Sequence, residues 1–396
     1  MNAPSDAGVE RRQQLELLRA SAATFASKES PLSRARALRA KAPGFDPGFW
    51  NALAVQGWTG LLAPESCGGF GQGLADMAEV AGALAAQIAP EPITPVVVFA
   101  GRLLQACGPG EMAQRLLTEM AEGRALPAVA WQEDATGAAS FDSRGELADP
   151  ATICTAGAQQ LRLHGSKRHV RPGASAAGWV VAASSAEGMA LVWVPAQAAG
   201  VQCRLDRLAD GSFAARLDLE QVTLPSDHLL CRGGAARAAL AKALDETLVV
   251  VGAELLAITR RMFDMTLEYL RTRKQFGKPI GSFQGLQHRA VDMLIQQELC
   301  AAAVAEGLAA LDAGICGDER ARLAARVKAR CSDAALAIAR EAVQLHGAVG
   351  FTDEYDLGLY LQRALVLSAW LGNGAVQRRR HALLARRAGA AAGADA

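Results

Sequence analysis

The chain has 396 residues, 51% of them apolar, which is enough to bury a large core in two or three layers and excludes a disordered protein. Its 41 Lys and Arg nearly balance its 40 Asp and Glu, so no global field draws it to nucleic acid or to an anionic membrane, and any anion site must be local. Its eight cysteines are scattered, with no C-x-x-C pair and no histidine at zinc-ligand spacing; no metal site is expected, and the thiols are expected to lie idle in a reducing compartment.

The first twenty residues carry charges throughout and contain no apolar run of signal-peptide length, so a cytoplasmic protein is expected. From about Glu10 to Gly123, Ala and Leu recur at three- and four-residue spacings, which predicts an N-terminal helical domain over residues 1–125. The glycine-rich stretch Pro64 to Gly73 breaks that period and predicts a loop. Between residues 126 and 234 the period falls to two in short runs: Ala128 to Gln132, Gln160 to His164, Trp179 to Ala183, Ala190 to Val194 and Arg216 to Leu224. Turn residues such as Gly165, Pro172-Gly173 and Gly188 separate these runs, and together they predict a middle antiparallel β domain. Over residues 235–396 the helical period returns, in stretches at 236–272, 286–313, 319–346 and 357–386 that predict an antiparallel four-helix bundle. The most apolar run, Leu248 to Ile258, is broken by Glu254 and is shorter than the roughly 20 residues a bilayer needs, so no membrane insertion is expected. The predicted class is α+β, mainly α, with the β module between two helical blocks.

Two segments carry the chemistry. The link after the first long helix of the bundle reads Arg271-Thr-Arg-Lys-Gln-Phe-Gly-Lys-Pro-Ile-Gly-Ser-Phe-Gln. Its cations complement a helix dipole on one reading. On the other, the Arg273 guanidinium suits a diphosphate and Phe276 an adenine or ribose, with Gly277 and Pro279 holding cation and ring in fixed relation. The third helix ends in Gln344-Leu-His-Gly-Ala-Val-Gly-Phe, where Gly347 and Gly350 permit close backbone approach to phosphate or ribose oxygens. Gly347 equally reads as a helix C-cap.

Together these segments resemble the acyl-CoA dehydrogenase family, and the resemblance runs over nearly the whole chain. Phe49-Trp50 and Gly57-Trp58 leading into Pro64-Glu65-x-x-Gly-Gly-x-Gly belong to the same pattern, as do Trp131-Gln-Glu and Leu217-Asp-Leu-Glu-Gln-Val-Thr-Leu-Pro. The resemblance implies that fold, an acyl-CoA substrate, electron-transfer flavoprotein as acceptor, and FAD at the interface of a dimer or tetramer. It further implies that Arg273 and Phe276 of one subunit meet the FAD held mainly by another, with Gln344, Gly347 and Ala348 near its adenylate or diphosphate and Trp131 on the strand that covers the flavin.

The sequence departs from the family where catalysis is concentrated. The family base is most often a Glu twenty residues beyond the Phe of the Q-x-x-G-x-x-G-F motif, and counting from Phe351 gives Leu371. Gly372, Val376, Gln377 and Arg378 keep the surrounding pattern, and Asn373 of that segment is a candidate cofactor contact. Some members carry the Glu near the start of the helix leading to R-T-R-K-Q-F-G, where Thr247 stands; Glu246 beside it and Glu254 two turns on are the candidate bases, while Asp245 and Thr247 are candidate substrate contacts. His169 and Arg171 replace the Trp and Thr that touch the flavin ring in the family's K-x-W-I-T-N-G. Such departures resemble the members found as one half of unlike-subunit assemblies. Two functions are therefore expected: an FAD-dependent acyl-CoA dehydrogenase that forms an α,β-double bond, or a catalytically silent subunit that completes a related chain's site.

Overall fold

The computed structural model describes residues 6–39, 41–134, 140–157 and 159–394. Helices α1 (Asp6–Glu29), α2 (Leu32–Leu38), α3 (Pro47–Val55), α4 (Leu74–Ala86), α5 (Gly101–Ala106) and α6 (Glu111–Ala121) form the first block. Arg11 on α1 grips Asp76 on α4 with two bonds of 2.8 and 2.6 Å, and a π-helical stretch, Thr94–Ala100, runs straight into α5. The glycine-rich loop ends where α4 begins, and the Asp312 carboxylate accepts from the Leu74 N–H at 2.9 Å, joining the first block to the last.

Strands β1 (Pro127–Ala130), β2 (Ile153–Ala156), β3 (Gln160–Val170), β4 (Gly178–Ser185), β5 (Gly188–Pro195), β6 (Val201–Arg207), β7 (Phe213–Pro225) and β8 (Leu229–Arg232) form one sheet in the order β6-β7-β3-β2-β4-β5-β8, with β1 beside β4. The sheet is not purely antiparallel as the alternation suggested: β1 and β2 both run parallel to β4. Near the end of β3 a bulge sets two residues, Arg168 and His169, against one of β7, Arg216, since Lys167 faces Leu217 and Val170 faces Ala215. A bulge bends its strand and re-aims the side chains that follow. Here it turns His169, with φ +56°, and Arg171 away from the regular ladder.

The last block is built on α7 (Gly233–Thr272), a 40-residue helix whose middle is buried, with α8 (Gln284–Asp312) and α9 (Gly317–His346) alongside. The single fourth helix expected at 357–386 is two helices, α10 (Leu357–Ala369) and α11 (Gly374–Ala394). They part because Trp370 is extended and Leu371 and Gly372 hold φ of +61° and +91°, which no helix accommodates. The break is braced from α9 by the fully buried Lys328, which donates to Ser332 Oγ at 3.0 Å, Ser368 O at 2.9 Å and Gly372 O at 3.3 Å. Burial pulls the Lys328 ammonium down to about 7.

By length and composition alone α8 is long and apolar enough to cross a membrane. Its Val291, Leu294, Ile295 and Leu299 are exposed along one side.

Candidate functional site

A cavity of about 300 Å³ opens between the sheet and α10. The sheet contributes Gln132, His169 and Arg171, and α10 contributes Leu365 and Val366, with Trp370 just beyond its end. The Gln132 carbonyl accepts from the Arg168 N–H at 2.8 Å, which ties the exit of β1 to the bulged end of β3. The Arg171 guanidinium lies 5.0 Å from the Trp370 ring centre, a cation–π contact across the cavity wall. Its Nη1 is buried and makes no hydrogen bond.

Beside Arg171 stand three more ionisable groups. Asp210 pairs with Arg363 at 3.3 Å and accepts from Ser212 Oγ at 2.6 Å. Burial alone would raise its pKa, but Arg363 and Arg171 outweigh burial and hold it below the usual carboxylate range. Glu254 on α7 is the reverse case: burial pushes its carboxyl up to about 7 against the pull of Arg363 and Arg171. Its Oε2 is buried with no hydrogen bond, as is Oγ1 of neighbouring Thr94. Burial also lowers the Arg171 pKa, with Asp210 the largest opposing influence.

The other sequence candidates on α7 face elsewhere. Glu246 is held by Arg102 of α5 through two bonds, 2.7 and 3.0 Å, so both carboxylate oxygens are engaged. Asp245 is fully buried between Arg320 of α9, at 3.0 Å, and Arg380 of α11, at 2.8 Å. Thr247 donates to the Ala243 carbonyl of its own helix at 2.6 Å. Leu371 is buried at the α10–α11 break, and its carbonyl accepts from Gln377 Nε2 at 2.7 Å. Asn373 Oδ1 accepts from the Val376 N–H at 3.0 Å and thereby caps α11. Trp131 packs in the core against Phe141, with ring centres 6.2 Å apart, while the cavity is lined by its neighbour Gln132.

The two motif segments come together at one end of the bundle, where Tyr269 of α7 stacks on His346 of α9 at 4.6 Å. After α7, β9 (Lys274–Gln275) and β10 (Lys278–Pro279) form a hairpin turned by Phe276 and Gly277, with φ of +52° and +78°. Two positive φ values are the mark of a type I′ turn, which Asn and Gly adopt at little cost and Phe does not. Phe276 is nevertheless there, 90% exposed, with Arg273 also exposed. Gln344, Gly347 and Ala348 are exposed at the end of α9, and a Cβ at Gly347, φ +65°, would meet nothing within 4 Å. Gly347 is thus both a C-cap and an open backbone surface. None of these residues lines the cavity beside α10.

Four contributors escaped sequence reading. Arg102, Asp210 and Arg363 act through partners far away in the chain, and nothing local announces them. Trp370 could have been found, because it precedes the position at which the base was sought.

Residues 12–124 match the model of the acyl-CoA dehydrogenase N-terminal domain, and residues 236–387 that of the acyl-CoA dehydrogenase C-terminal domain. Acyl-CoA dehydrogenase IpdE2 of Mycobacterium tuberculosis is 29% identical over 353 residues, covering 89% of this chain and 91% of that protein. Among solved structures, a variant of the steroid ACAD Tcur3481-Tcur3483 is similar with TM-score 0.84 and 26% identity, covering 96% of this chain and 99% of its own. The ChsE4-ChsE5 complex from Mycobacterium tuberculosis shares the fold, with TM-score 0.82 and 23% identity over 96% and 97% of the two chains.

Proposed function

This chain belongs to the acyl-CoA dehydrogenase family of oxidoreductases, and from that premise we propose that it is one subunit of an unlike-subunit FAD enzyme whose proton-abstracting carboxylate resides in the partner chain. The reaction is α,β-desaturation of an acyl-CoA thioester in the cytoplasm, with electrons passed to electron-transfer flavoprotein. FAD, when bound, supplies the acceptor for the hydride leaving the β-carbon.

The residues fit FAD in two separated halves, which supports a cofactor shared between chains. Arg273, Phe276, Gln344 and the open backbone at Gly347 and Ala348 suit a diphosphate and adenine approaching from outside. The cavity beside α10 suits a flat apolar ring, and the partnerless Arg171 Nη1 offers a buried donor to a carbonyl oxygen. Leu365, Val366 and Trp370 give that wall an apolar lining.

The observation that carries the assignment is Leu371. Removing an α-proton requires a carboxylate that is dry, near and free to accept. At the family's usual position stands an alkyl side chain, and Glu246, nearest the alternative position, is saturated by Arg102. Unlike-subunit assemblies are also what the names of the ChsE4-ChsE5 and Tcur3481-Tcur3483 structures describe of those proteins. A second reading has one observation in its favour: Glu254, raised to about 7 by burial, has the basicity of a general base at neutral pH and adjoins Arg171.

Purification of the chain alone and with its genomic neighbours, followed by the visible flavin spectrum and its bleaching by a panel of acyl-CoAs, tests the proposal. FAD retained and bleached only in a mixed complex is the expected result. FAD retained and bleached by the lone chain would overturn it.

A further inference from the structure

All eight cysteines are free, yet two of them touch: Cys107 Sγ and Cys231 Sγ are 3.1 Å apart although the residues are 124 positions apart in sequence. Cys107 follows the last residue of α5, and Cys231 lies on β8, which pairs with β5 and leads into α7. Each is only partly buried. The separation is about 1 Å longer than a disulfide bond of about 2.05 Å, so closure asks for a short approach of the two sulfurs. A second pair, Cys300 on α8 and Cys331 on α9, is buried where Cys107 and Cys231 are not, which makes it an internal control.

We propose that Cys107 and Cys231 are a redox-active dithiol that closes, on exposure to hydrogen peroxide, into a disulfide linking the N-terminal helical block to the sheet. The Cys231 thiolate attacks one peroxide oxygen; an S–O bond forms, the O–O bond breaks, and the hydroxide released takes the Cys107 proton to become water. The Cys107 thiolate then attacks the Cys231 sulfur; the S–S bond forms, the S–O bond breaks, and the departing hydroxide is protonated to a second water. Two thiols and one peroxide thus give one disulfide and two waters, the sulfurs oxidised and the oxygens reduced. The order follows from the 3.1 Å contact: the coupling of the two thiols holds Cys231 below its usual range and pushes Cys107 far above it, so Cys231 is the first to lose its proton. The link closes a loop holding the entire sheet and anchors α5, whose Arg102 fixes Glu246, to β8.

The test uses the full chain under native conditions, treated with hydrogen peroxide, alkylated, and examined by intact mass and peptide mapping before and after dithiothreitol. Expected are the loss of two of the eight alkylatable thiols, a Cys107–Cys231 linked peptide, an unchanged Cys300–Cys331 pair, and full reversal by dithiothreitol. The linked form should also melt higher, by on the order of a few °C, because a long loop is closed in the unfolded chain. In Cys107→Ser, dimedone should capture a sulfenic acid at Cys231 and no intrachain link should form. Full alkylation of both cysteines after peroxide would overturn the proposal, as would an equal yield of linked peptide from a different cysteine pair. Neither outcome bears on which chain supplies the flavin enzyme's base.

Discussion

Half of the strained non-glycine residues fall at positions the sequence motifs singled out. Among the described residues six non-glycine residues hold positive φ: Ile88, Ser175 and Gln221, and the three that concern the site, His169, Phe276 and Leu371, at +56°, +52° and +61°. Each strained residue of this kind costs about 1–3 kcal/mol, and such residues gather where function over-determines the backbone. All three lie at positions the sequence motifs singled out. Phe276→Gly should therefore leave the chain as stable or more stable, by up to about 1 kcal/mol, while flavin retention in the assembly falls; urea unfolding and the flavin-to-protein absorbance ratio measure the two effects. Glu254 gives a pH signature. Its folded pKa, about 7, is above its unfolded value, so the stability it contributes is complete below the unfolded pKa and is lost as pH rises through about 7. Glu254→Gln cannot ionise, and its unfolding free energy should gain on the wild type between pH 5 and pH 8, by up to about 3 kcal/mol, as judged by urea titrations at each pH. Arg171 and His169 could be read from sequence because they sit inside a local pattern. The Arg102–Glu246 and Asp210–Arg363 pairs could not, because their partners are 144 and 153 residues away and burial, which gives such pairs their weight, has no local signature.

At the scale of elements, the long helices were legible because their apolar positions recur over many turns, and α7 and α9 end at the residues expected. The split between α10 and α11 was written in Leu371-Gly372-Asn373, where a glycine and an N-capping residue adjoin, but the apolar period on either side masked it. The parallel neighbours of β4 were not legible, since alternation reports which faces are buried and says nothing of strand direction. The exposed apolar side of α8 was hidden by its interspersed Asp292, Glu298 and Glu306. Asp245 shows the same limit: the motif suggests a substrate contact, whereas its carboxylate joins α7 to α9 and α11 through two arginines. Asp245→Asn leaves two guanidiniums unpaired in the core and should cost about 3–5 kcal/mol in urea unfolding. A variant as stable as the wild type that only weakens acyl-CoA binding would instead mark Asp245 as a substrate contact.

For the whole molecule, the geometry separates the two regions proposed to hold the flavin. The cavity beside α10 lies against the sheet, while Arg273 and Phe276 face outward at the far end of α7, where another chain would meet them. Arg273→Ala should accordingly leave the unfolding of the isolated chain within about 0.5 kcal/mol of wild type, as a surface change does, and yet strip FAD from the assembly. Size-exclusion chromatography with diode-array detection separates loss of cofactor from loss of assembly.

The assignment turns on where the α-proton goes. Anaerobic stopped-flow bleaching of the flavin by an acyl-CoA, in the mixed assembly with this chain either wild-type or Glu254→Gln, measures that step directly. A positioned general base contributes about 10²–10⁴-fold, so the expected result, unchanged bleaching in Glu254→Gln, leaves proton abstraction with the partner chain, whereas a fall of about 10²-fold or more would put the base in this one.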